Sequence, residues 1–227
     1  MAEGPWRVTR EPAINLPRSV AGLLACLAVA HVLRVATGTT AEAFALTPAD
    51  LAAGRYGGLV THVFVHADWI HLSMNALFIA AFGAPVARYL GSGWRGGAVL
   101  WAFFLVCGIL SGGLFAQIIT LAPILGPGPG GWALLGASGA ASGLMGAAAR
   151  LIDGGGRPLP RVGRTVAGMT ISWILVNVIL GLSGLTPGTS GAPVAWQAHI
   201  LGYFAGLALV GVAGRLAGQG GDHVNES

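Results

Sequence analysis

A serine held in the stretch GASG (Gly136 to Gly139), a histidine in AHILG (Ala198 to Gly202), and a histidine and an asparagine four residues apart, His71 and Asn75, are the side chains here whose types combine into a reaction. A serine hydroxyl becomes a useful nucleophile when a base within hydrogen-bonding reach takes its proton, and an imidazole, with an ordinary pKa of about 6.5, is the usual base. Attack on a carbonyl creates an oxyanion that fixed donors must receive; an asparagine amide, a second imidazole and the backbone N–H at the serine would serve. Ser138, His199, Asn75 and His71 supply all of these roles without a metal or other cofactor. A competing set, His62, His66, Asp68 and His71, could ligate zinc. That set has no HExxH to bring a general base, and it straddles a loop and a helix start.

These residues need elements to position them, and composition says which kind. The 227-residue chain is 54% hydrophobic and only 9% charged, against about 25% charged in an average soluble domain. Its mean hydropathy is +0.73. It reads as an all-α polytopic membrane protein. Apolar runs long enough for a bilayer core of about 30 Å occur at Ser19–Gly38, Trp69–Leu90, Ala98–Leu121, Trp132–Ile152, Thr165–Leu185 and Pro193–Leu216. Six spans are therefore expected over residues 19–216, flanked by short tails at 1–18 and 217–227. The connections are short, except for a small structured loop between about Thr39 and Asp68.

All 12 basic residues are arginine, which with the abundance of Gly and Ala fits a GC-rich bacterial genome. They stand singly between apolar runs rather than on one stripe, so they read as topology signals and not as a nucleic-acid surface. Arginines precede the first span and follow the second, fourth and sixth, whereas the connections after the third and fifth have none. A multi-pass protein of the bacterial plasma membrane with both termini cytoplasmic is the expectation. Cys26 and Cys107 lie in apolar runs and suit packing rather than pairing.

Depth then brings the reacting groups together. At about 1.5 Å of rise per residue, Ser138 and His199 each fall about 9 Å below the outer boundary of their spans, with His71 about 5 Å and Asn75 about 10 Å down a third span. Four polar side chains from three helices share a layer where polar groups are costly. For the serine and histidine to touch, their helices must approach closely, which calls for small residues at four-residue spacing. Gly139 and Gly143 offer one such seam, Gly202 and Gly206 the other. Ser142 reads as a small packing residue, and Arg34 as a snorkelling or paired charge.

With these residues in view, the chain resembles the rhomboid intramembrane serine proteases. The resemblance rests on HVFVHADWIHLSMN (His62 to Asn75), on GASGAASGLMGA (Gly136 to Ala147) with the family's GxSG, on AHILGYFAG (Ala198 to Gly206), and on the six-span layout. It implies a six-transmembrane-helix rhomboid-like bundle and a Ser–His dyad in which Ser138 matches the nucleophile and His199 the base. It also implies that His71 and Asn75 line the oxyanion hole, and that His62 and His66 steady the loop. The implied substrates are single-span membrane proteins, cleaved in or near their transmembrane segments within the lipid bilayer.

Two features depart from the family pattern. Gly57 and Gly58 stand where members commonly carry a Trp-Arg pair, and Ser142 stands where an aromatic ring often supports the histidine. A catalytically inactive rhomboid-like protein that binds membrane clients is the alternative reading, although such relatives lose the serine or the histidine and both are present here. A transporter is a further rival, without an inverted repeat to favour it.

Overall fold

The computed structural model describes residues 15–122, 124, 131–158, 163–183 and 194–219. In chain order its helices are α1 (Arg18–Ala36), α2 (Pro48–Ala52), α3 (Gly58–Thr61), α4 (Trp69–Leu90), α5 (Trp94–Leu121), α6 (Ser138–Asp153), α7 (Arg164–Ser183) and α8 (Trp196–Ala217). The six long ones correspond to the six expected spans, and the two short ones fold the loop after α1. Most of both tails, the glycine-rich turn at 125–130 and the connection 184–193 lie outside the described residues.

Five of the six, all but α6, are long and apolar enough to cross a membrane. The fourth span differs from expectation. It was expected to be helical from Trp132, with Ser138 almost two turns down, but the helix begins at Ser138 itself and has 16 residues. The preceding stretch is non-helical, and Leu134 pairs with Leu46 of the first loop in an isolated antiparallel bridge. Such irregular backbone is tolerated at membrane depth where protein covers it. Leu134 and Ala137 are both buried.

Every residue of α6 from Gly139 to Ala149 is buried, because α4, α5, α7 and α8 all pack on this helix. Its thinness lets them do so. A methyl group on Gly202 would fall on the Gly139 carbonyl oxygen, and one on Gly206 on the Gly143 carbonyl oxygen. The glycines of α6 chiefly make room for α5: a methyl on Gly139 would meet the Ser111 hydroxyl, and one on Gly143 would meet Cys107. So the two glycine pairs do not simply face each other. Those of α8 seat it on the α6 backbone, and those of α6 admit α5.

The first loop is tied at several points. Arg34, at the end of α1, donates to the carbonyls of Thr39, His66 and Ala67. Thr61 donates to the Phe44 carbonyl at 2.8 Å. Gly58 is needed for the same closure, since a methyl there would press on the Ala45 carbonyl at 2.8 Å. Arg34 and the Leu46–Leu134 bridge thus hold the loop beside Gly57 and Gly58, which have no side chains to do so.

Candidate functional site

Ser138 is the first residue of α6, a consequence of the turn before it. Gly136 has φ of +110°, which disfavours any side chain, and a methyl there would strike the His71 ring at 2.7 Å. The Gly136 N–H donates to the His62 carbonyl at 2.9 Å, and the Ala137 N–H donates to His66 Nε2 at 3.3 Å. Burial, with His71, His31 and Arg34 adding to it, pushes the His66 imidazole down to about 3, which keeps it a neutral acceptor. His62 Nδ1 lies 2.7 Å from the Gly58 carbonyl. These two histidines brace the loop against the start of α6 and do not gather as metal ligands. Among the described residues no three His, Cys, Asp or Glu side chains do.

Ser138 Oγ lies 2.8 Å from His199 Nε2, the latter from the first turn of α8. That turn is itself held, because the buried Ser111 hydroxyl of α5 donates to the Ala198 carbonyl at 2.9 Å. The other ring nitrogen of His199, Nδ1, lies 2.7 Å from Asn177 Oδ1 on α7. The Trp173 ring, one turn earlier on α7, lies beside the His199 imidazole with centroids 6.2 Å apart. Ser142, in place of the family's aromatic residue, donates to the Ser138 carbonyl at 2.7 Å and packs within α6. Support for the histidine ring thus comes from α7.

His71 and Asn75 reach the same place from α4. Asp68 caps that helix by accepting from the His71 N–H at 2.8 Å. His71 Nδ1 accepts from the Ala67 N–H at 3.4 Å, which in the neutral ring leaves the proton on Nε2, the atom beside Gly136. Asn75 spends one amide hydrogen on the His71 carbonyl at 2.9 Å and retains a second. Ser138, His199, His71, Asn75, Trp173 and Asn177 line one cavity of about 820 Å3.

The family model of the Rhomboid domain matches residues 53–216, well over half of the sequence. The chain belongs to the rhomboid family. No curated protein matches it closely. The rhomboid match begins just after α2 and runs through α3 and the long helices α4 to α8, short only of the last residue of α8, so every residue of the cavity named above falls inside it.

Sequence reasoning missed Asn177 and Trp173. The signal was available: Asn177 is an amide in an otherwise apolar run and lies eight residues before the expected end of its span at Leu185, about 12 Å of helix and close to the depth of Asn75. The same depth arithmetic that grouped Ser138 with His199 would have placed it in their layer.

Proposed function

We propose that this rhomboid-family protein is an intramembrane serine endopeptidase that hydrolyses peptide bonds in or near the transmembrane segments of single-span membrane proteins. The observation that carries the reading is the 2.8 Å approach of Ser138 Oγ to His199 Nε2, from two different helices, at the wall of a cavity. Ser138 Oγ attacks the scissile carbonyl carbon while its proton passes to His199 Nε2. Negative charge on the carbonyl oxygen is received by the Ser138 backbone N–H, His71 Nε2–H and the second Asn75 amide hydrogen. Collapse breaks the C–N bond, the leaving amine takes the proton from His199, and an acyl-Ser138 ester remains. Water then attacks the ester with His199 as base, releasing the carboxylic acid and restoring Ser138.

A helical peptide bond is shielded by its own hydrogen bonds, so suitable substrates carry small or helix-breaking residues that allow local unwinding. Lateral access is proposed between α4 and α7, where Phe78 and Trp173 meet at 5.6 Å. The arginine pattern supports an orientation with both termini cytoplasmic and the cavity toward the outer face. Co-expression with a tagged single-span reporter tests the activity: the wild type releases a fragment, and Ser138→Ala and His199→Ala do not. Equal processing by all three removes the protease reading. Crosslinking α7 to α4 without loss of turnover contradicts the lateral route.

A further inference from the structure

Asn177 has a place in this site that the dyad does not explain. Among the 20 residues of α7 only Val166 and Asn177 are buried, so one of the two positions this helix buries carries an amide. The orientation of that amide is fixed from both ends. Its Nδ2 donates to the Trp173 carbonyl at 2.9 Å, a group that can only accept, so Oδ1 is the atom facing His199 Nδ1 at 2.7 Å. An Oδ1 can only accept, and the proton between them therefore belongs to Nδ1. In a neutral imidazole this leaves Nε2 bare, and Nε2 is the atom 2.8 Å from the Ser138 hydroxyl. The chain of hydrogen bonds runs in one direction, from Ser138 through His199 to Asn177, across α6, α8 and α7.

We propose that Asn177 is the positioning residue of the base: from α7 it holds His199 in the tautomer and rotamer that accept the Ser138 proton, so the base is complete only while α7 is docked on α8. This rests on the protease reading given above. A second polar pair, Thr170 with the Tyr203 hydroxyl at 3.0 Å, joins the same two helices two turns away without touching the imidazole. It supplies the control that separates positioning from docking. The titratable group facing His199 from α4 is His71, and it is left intact in every variant.

The test compares Asn177→Leu, Asn177→Asp and Thr170→Val with the wild type on a reporter in detergent across pH. Asn177→Leu is expected to lower kcat about 10- to 100-fold with KM little changed, because orientation of the base and not substrate binding is lost. Asn177→Asp keeps an acceptor and restores most of kcat. Its carboxylate favours the imidazolium, so the acid limb of its pH–rate profile moves to higher pH. Thr170→Val stays within about twofold. A wild-type kcat and acid limb in Asn177→Leu, or an equal loss in Thr170→Val, overturns the assignment. Nitrogen-15 NMR of the His199 ring needs no turnover: Nδ1–H in the wild type and loss of that preference in Asn177→Leu are expected, and Nε2–H in the wild type overturns it. A wild type no more active than Ser138→Ala ends the protease reading, and the ring spectrum still decides the role of Asn177.

Discussion

Helices α6 and α7 both border the cavity, and they are built in opposite ways. α6 is buried over its whole middle, assembled from Gly, Ala and Ser, and fixed by backbone contact with α8 and by close packing with α5. α7 buries two of its 20 residues, and Ile171, Leu175, Ile179 and Leu182 are exposed on its outer side. A closely packed helix presents the serine hydroxyl, while a sparsely buried one presents Asn177 and Trp173 to the histidine. Close packing is thus concentrated where Ser138 sits, and the wall proposed for lateral access is the one that buries only two residues. Both come from side-chain size: small residues allow backbone contact with α8 and close packing with the other neighbours, whereas large apolar ones prefer lipid to a crowded interior.

If that contrast is right, a methyl-sized intrusion should matter far more on the seam of α6 than on α7. Gly206→Val puts a branched side chain against the Gly143 carbonyl and is expected to cost at least about 3 kcal/mol, abolishing cleavage and folded yield in detergent. Arg34→Met removes the donors that hold the loop to α1, and with it the brace under the start of α6; a loss of about 2 kcal/mol should appear as a lower thermal midpoint.

Acid should act through the same brace. An unfolded His66 takes a proton at about pH 6.5 and the folded one only at about 3, so between these values the unfolded chain binds more protons. The stability His66 contributes is full above about pH 6.5 and is lost as the pH falls toward 3. His62, also lowered by burial, acts in the same sense. The thermal midpoint should therefore fall on acidification, less steeply in His66→Gln. At the small end, Gly168→Val on α7, where a methyl meets nothing within 4 Å, should change stability by no more than about 0.5 kcal/mol. A Gly168→Val protein as damaged as Gly206→Val would erase the contrast between the two helices.

The parts legible in the sequence were those set by hydropathy and by depth. Six apolar runs gave six long helices with ends shifted by up to six residues, and Ser138, His199, His71 and Asn75, grouped by residue type and depth, line one cavity. What was not legible depends on tertiary partners. WALLGA is as apolar as a helix would be, and the bridge to Leu46, the bonds of Gly136 and Ala137 to His62 and His66, and the positive φ of Gly136 hold it out of the helix, so the start of α6 at Ser138 could not be read from hydropathy. The anchoring of the first loop was not legible at Gly57 and Gly58 because the groups that tie it, Arg34 of α1 and Leu134 before α6, come from elsewhere in the chain. The support of His199 likewise comes from α7 and not from the neighbouring turn of α6.

Labelling with a serine-directed fluorophosphonate, followed by peptide mass spectrometry, tests most directly whether the hydroxyl and the imidazole work as a pair. One phosphonyl group on Ser138 in the wild type, and almost none in His199→Ala, is the expected result. Labelling at a different serine, or undiminished labelling of Ser138 without the imidazole, would contradict the account.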